Sequence, residues 1–327
     1  MEVFYESIDD VDFPERNELI TRAKERDKLL EWTLEESKES NNEVEEEAFE
    51  EVSNMREVQR AMGENRYSYA IDLLDNIIQR HPSRVVAYEN RGVAKDELGR
   101  HEEAIEDFNK ALDLKPRSAD IYVHRGISKK NLERYDDAIK DYQTAKKYEP
   151  DDLSAVYINI GVVKNNLEKH NEAIENYDKA IKIDPNWKIA YNNRGNAKKD
   201  LEQYNEAIED YNKALELDSE YAMALRNRSI VYILNDEFKL AEKDAVEAKI
   251  HSNSIEGQAK GLLFELIAKI LMDKDTSSTE HEYKMMCNKE FNISSEFDDI
   301  DSWIDKIDID SSKQMHIESL MNRLREK

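Results

Sequence analysis

Asparagine recurs at positions 90, 159, 193 and 227, and His124 stands in the same register, so four amides and an imidazole repeat at steps of 34 or 35 residues. An asparagine side chain carries a donor and an acceptor together. A row of them can pair with successive main-chain groups of an extended ligand without demanding a particular sequence from it. Other chemistry-bearing residues are sparse. Cys287 is the one thiol, which excludes an internal disulfide and a Cys-based metal site built within one chain. The 7 histidines form no His-Glu-x-x-His pair, and the chain holds no Gly-x-Ser-x-Gly elbow, phosphate-binding glycine loop or CxxC pair. Asp273 to Ser278 begins like a calcium loop, but Ser278 takes the place of the required glycine and Lys284 that of the closing glutamate, so it reads as a surface linker. The expectation is a binding protein, not an enzyme, with no cofactor and no metal.

The elements that position these residues are helices. With 8 Gly and 5 Pro in 327 residues, the chain lacks the punctuation that strands and hairpins need, while its Glu, Lys, Ala and Leu favour helix. Self-similarity is plain. Gly92, Gly126, Gly161 and Gly195 each sit in a Tyr-x-x-(Arg/Ile)-Gly block. Twelve residues after each comes Ala104, Ala138, Ala173 or Ala207, four further on Phe108, Tyr142, Tyr177 or Tyr211, and then Ala111, Ala145, Ala180 or Ala214. Pro116, Pro150, Pro185 and Ser219 close the units, where a proline can end one helix pair and start the turn to the next. The pattern resembles the tetratricopeptide repeat, strongly over 85–221, with weaker copies upstream (Ala70, Leu74, Ile77, Pro82, and Val58 in place of glycine) and downstream (Leu225, Arg228, Ser229, Ala241, Ala245, Ala248). Six repeats are expected. The resemblance implies an all-α, right-handed superhelical solenoid with a concave groove, in which thin helix pairs gain stability only by stacking. Glycine and alanine at facing positions let the helices approach closely, and the aromatic residues are expected to fill the gap between units.

Arg91, Arg125, Arg194 and Arg228 each have an aspartate sixteen residues later (Asp107, Asp141, Asp210, Asp244). The one unit with Ile160 instead has Asn176 in the aspartate position. This matched exchange predicts a structural ion pair within each helix pair, not a ladder of arginines for acidic ligands.

The resemblance also implies that the first helix of each unit lines the groove and that the family's sixth position points into it. That position holds Asn90, His124, Asn159, Asn193 and Asn227. The neighbours Val123, Ile158, Asn192 and Asn196 are expected to line the same groove, apolar in the middle repeats and polar toward the C-terminal end. The lysine and asparagine set with which some members hold chaperone tails is absent from any three consecutive units.

The expected organisation is an acidic helical arm at 1–50, six repeats over 51–255, and a capping helix with a small helical module at 256–327. In the arm, Phe4, Tyr5, Phe13 and Trp32 stand among carboxylates. They suit either a solvated acidic segment, a docking segment for a basic partner or a flap over the groove. Leu262 to Leu271 is apolar on more than one side, which fits a solenoid cap, burial against the tail, or a face for a homo-oligomer. The net charge of −25 repels nucleic acid and anionic lipid and favours protein partners that are basic. No stretch reaches the ~20 apolar residues that span a bilayer, and the N-terminus lacks a basic, apolar leader, so a cytoplasmic protein is expected. The function expected is a scaffold holding an extended segment of a partner. The alternative is a regulatory subunit that restrains a basic enzyme, a nuclease or toxin, through the arm and the C-terminal module.

Overall fold

The structure, a computed structural model, describes residues 43–148, 150, 152–288 and 310–325. Every regular element among them is a helix. Six helix pairs follow one another: α1 (Glu43–Gly63) with α2 (Tyr67–Arg80), α3 (Val85–Glu97) with α4 (His101–Leu114), α5 (Ala119–Asn131) with α6 (Tyr135–Lys147), α7 (Leu153–Asn166) with α8 (His170–Ile183), α9 (Lys188–Asp200) with α10 (Tyr204–Leu217), and α11 (Ala222–Leu234) with α12 (Phe238–His251). Three more helices follow among the described residues: α13 (Ile255–Leu271), α14 (Ser277–Cys287) and α15 (Ser311–Arg325). The acidic run from Glu43 is the start of α1, continuous with the first repeat helix. The arm residues Phe4, Tyr5, Phe13 and Trp32, and residues 289–309 of the C-terminal module, lie outside the described residues.

The turn within each pair is a left-handed residue that ends the first helix. Asn65, Gly99, Glu133, Glu168, Glu202 and Asp236 have φ of 56°, 72°, 58°, 57°, 57° and 59°. The next amide donates to the carbonyl five residues back, as in Arg100 N to Lys95 O (2.9 Å) and Arg134 N to Lys129 O (2.8 Å), which satisfies carbonyls the helix end would otherwise strand. Asp273 (φ 55°) and the Lys274 N to Lys269 O bond (2.9 Å) repeat this geometry between α13 and α14. The stretch that resembles a calcium loop is therefore a repeat-type helix turn.

The described residues form two compact units that divide between Val163 and Lys164, inside α7. In the first unit, a Cβ on Gly92 would lie 2.7 Å from Phe108 Cε1, and one on Gly126 2.5 Å from Tyr142 Cε1. The ring therefore presses on the glycine of its own pair. The aromatics also fill the gap between units as expected: Phe108 clusters with Ile121 of the next repeat, and its ring centroid lies 5.8 Å from that of His124. In the second unit Gly195 and Tyr211 repeat the contact at 2.7 Å. Here the largest apolar cluster joins Ile230 and Ile233 of α11 and Ala241 and Ala245 of α12 to Leu262, Leu263, Leu266 and Ile267 of α13. Tyr283, Cys287, Ile317, Leu320 and Met321 of α14 and α15 complete it. The surplus apolar face of α13 is thus covered by the chain's own tail, with Leu266 fully buried, and is not a free face for a homo-oligomer.

Candidate ligand-binding face

The ion pairs form as the spacing requires. Arg91 Nε and Nη2 donate to Asp107 (2.9 and 2.5 Å), and Arg125–Asp141, Arg194–Asp210 and Arg228–Asp244 repeat the fork. The aspartates are 4 % exposed, where a two-pronged guanidinium satisfies both oxygens. The remaining Nη1 reaches back to the preceding pair: Arg91 to Asp75 (2.5 Å), Arg125 to Asn109 (2.6 Å), Arg194 to Asp178 (2.6 Å) and Arg228 to Asn212 (2.5 Å). Burial opposes the charge on Arg91, but its hydrogen bonds to Asp107 and Asp75 outweigh that and hold its pKa above the usual range. These arginines staple adjacent repeats together. The sequence carried the signal for this second contact: an Asp or Asn lies sixteen residues before each of the four arginines, and Thr144 stands there in the unit with Ile160. Tyr122 and Tyr191, which open their glycine blocks, donate to the carbonyls of Pro116 and Pro185 (3.4 and 3.1 Å) and lie against Arg125 and Arg194.

In the first unit the amide row stands on α3, α5 and α7. His124 faces the residue just before the row position in the preceding repeat: its Nδ1 lies 3.5 Å from Glu89 Oε1, with no hydrogen bond formed. For Asn159 the equivalent position is Val123, which has no acceptor, and Asn159 Nδ2 is buried without a hydrogen-bond partner. Asn159 is 9 % exposed, Ile158 7 % and Val123 1 %. Val123 and Ile158 therefore belong to the floor beneath the face more than to an open apolar lining, a correction that follows from how closely the first helices stack. Asn90 is half-buried. Helix α3, which carries the first row residue, also bears three carboxylates: Glu89; Asp96, which accepts from Ser128 (2.5 Å) and lies 2.7 Å from His101 Nδ1; and Glu97, whose pKa burial raises, with help from Asp96.

In the second unit the amides satisfy each other. Asn227 Nδ2 donates to Asn192 Oδ1 (3.0 Å), Asn192 Nδ2 to Asn193 Oδ1 (3.3 Å), and Tyr211 Oη to Asn196 Oδ1 (2.8 Å). Asn192 is 2 % exposed. The ladder is therefore knitted here rather than open. Spacing alone could not show this, because identical amide rows serve a ligand or each other according to what the neighbouring row offers. Among the described residues no cluster of His, Cys, Asp and Glu could hold a metal ion, and no helix is long and apolar enough to cross a membrane.

Family models of the tetratricopeptide repeat match residues 85–118, 119–152, 154–186 and 189–221. The chain is a tetratricopeptide repeat protein. Its helix pairs give it the all-α solenoid fold class of that family. Solved structures similar to this tetratricopeptide repeat protein include the APC/C hetero-tetramer Cut9-Hcn1, at 21% identity over 64% of this chain and 42% of that one, with a TM-score of 0.56. PilW, a type IV pilus biogenesis factor, aligns at 16% identity over 64% of this chain and 94% of its own (TM-score 0.57). A tetratricopeptide repeat protein from Parabacteroides merdae aligns at 14% over 84% and 98% (TM-score 0.57). At these identities the likeness is one of fold. No curated protein sequence matches the chain significantly. Tetratricopeptide repeats build protein-interaction scaffolds, and the chain carries that general architecture.

Proposed function

We propose that this protein is a non-enzymatic scaffold whose first-helix face holds an extended segment of a partner protein. The observation that carries this reading is Asn159. A buried amide donor without a partner costs roughly 1–3 kcal/mol, and the row equivalent Asn227 is bonded to Asn192. A main-chain carbonyl of a ligand laid along the face would supply the missing acceptor. The carboxylates of Glu89, Asp96 and Glu97 at the N-terminal end of this row favour a basic side chain at that end of the segment. The Cut9-Hcn1 assembly, in which a protein of this fold is complexed with another chain, supports a protein partner.

The test is capture of a partner from native extract with the wild-type chain and with the Asn159→Ala, Asn193→Ala variant, followed by affinity measurement on the purified pair. The expected outcome is at least a tenfold loss of affinity with helicity and melting unchanged. Equal affinity of both chains would remove the reading and place recognition in the termini.

A further inference from the structure

Two first helices of the array differ at two equivalent positions of their face. Helix α9 carries Asn192 and Asn196 there, and α5 carries Val123 and Ile127. On α9 both amides accept: Asn192 Oδ1 from Asn227 Nδ2 (3.0 Å) and Asn196 Oδ1 from Tyr211 Oη (2.8 Å). On α5 neither aliphatic side chain can accept. The groups that correspond to those two donors, Asn159 Nδ2 and Tyr142 Oη, are both buried without a hydrogen-bond partner. Tyr142 is fully buried and Asn159 is 9 % exposed. One exchange of side chains on one helix thus strands two polar groups.

Packing does not require the Tyr142 hydroxyl. Phe108 fills the same position one repeat earlier and presses on Gly92 as Tyr142 presses on Gly126, so the fold accepts a ring without the oxygen. Burial, with Asp141 and Asp96 adding to it, holds the Tyr142 pKa well above the usual tyrosine range, and the hydroxyl therefore keeps a proton to donate. The ring of Phe108 lies 5.8 Å from that of His124, the row residue of the next repeat. Asn159 follows Tyr142 in the same way. This equivalence puts an unpaired hydroxyl beside an unpaired amide, and Ile127 and Val162 on the same first helices are partly exposed.

We infer that Tyr142 is a second ligand-binding residue of this face, its hydroxyl donating, with Asn159, to a main-chain carbonyl of a segment whose side chain at that point is aliphatic. The inference rests on the reading that the first-helix face holds an extended segment, and it adds where the segment is anchored and what it presents there. Ile127 stands where Asn196 meets Tyr211, so it is the side chain that swings aside to let the carbonyl reach the hydroxyl. The ligand's aliphatic group then takes its place near Val162. A carbonyl satisfies donors whose isolation is otherwise costly, whereas a charged side chain would be stranded among aliphatic groups.

The test compares the full wild-type chain with Tyr142→Phe and Ile127→Asn, by urea denaturation without ligand and by affinity for a peptide. The peptide is selected against the wild type from a phage-displayed library of random sequences and then synthesised. Tyr142→Phe removes a buried hydroxyl that has no partner, so it should raise the urea midpoint while weakening the peptide about fivefold or more. Ile127→Asn supplies the acceptor that Asn196 gives Tyr211, and it should weaken the peptide as much by engaging the hydroxyl internally. A merely structural hydroxyl would instead lose stability and binding together. A lower midpoint for Tyr142→Phe, a peptide that binds this variant as it binds the wild type, selected peptides without an aliphatic residue, or a selection that yields no peptide overturns the inference. Asn159→Ala with the same peptide separates the two readings: loss there but not with Tyr142→Phe keeps the proposed function and removes Tyr142 from it.

Discussion

At the scale of single residues, burial decides which charges are stapled and which are liabilities. Asp244 is 4 % exposed and takes two hydrogen bonds from Arg228, while its counterparts Asp107, Asp141 and Asp210 also have a lysine at 2.6–2.7 Å. Tyr232, over whose ring Arg228 lies, fills the lysine position in the sixth repeat. Arg228→Ile should therefore cost about 3 kcal/mol or more, measured by urea denaturation. Adding Asp244→Asn should recover most of the loss, because the fourth repeat already runs on Ile160 with Asn176. Glu97 gives the opposite case. Burial, then repulsion from Asp96, raises its pKa in the folded chain. Its contribution is thus fully present below the unfolded value near 4.3 and is lost as pH rises through the raised folded value. Glu97→Gln should match the wild type in stability near pH 4 and exceed it at pH 7, and denaturation midpoints at the two pH values check this.

At the scale of elements, each helix pair is closed by a left-handed residue, and only Gly99 among the six repeats is a glycine. The left-handed conformation costs a residue with a Cβ roughly 1–2 kcal/mol. Glu133→Gly should therefore raise stability by about 1 kcal/mol, less what glycine gives back in unfolded-state entropy, with a higher urea midpoint as the measure. The helix pairs were legible in the sequence because close approach admits few residue types: a Cβ at Gly126 would sit 2.5 Å from Tyr142 Cε1. The Arg–Asp fork was legible through the joint exchange at Ile160 and Asn176. The turn residues were not, because three of the six are glutamate, whose identity does not mark the left-handed region as glycine, asparagine or aspartate can. The state of the amide row was hidden for a different reason. Whether Asn159 is orphaned or Asn227 satisfied depends on the residue one position earlier in the preceding repeat, Val123 against Asn192, and that pairing is a product of stacking geometry.

At the scale of the whole chain, a repeat array has ends, and each end must bury a helix face that has no following repeat. Here α13 starts from an Ser254 cap that accepts Gly257 N (3.0 Å) and carries twelve buried residues, among them Lys260 and Glu265. The charge of Glu265 is tied down by Lys269 Nζ at 2.6 Å, which also donates to Thr279 of α14 at 2.7 Å. Tyr283 donates to the Leu320 carbonyl at 2.8 Å, holding α15 on α14. An apolar helix so enclosed is the seat of the C-terminal module. Two consequences of Leu266→Glu then part company. If the apolar face of α13 joined two chains, the substitution would halve the mass in solution and leave melting unchanged. With Leu266 fully buried inside its own chain, the glutamate is instead forced among the apolar side chains of the cluster around α13. The mass should stay constant while stability falls by roughly 3 kcal/mol or more. Because neighbours in a stacked array stabilise one another locally, hydrogen-exchange protection should be lost first from α13, α14 and α15, and α3 to α6 should keep theirs.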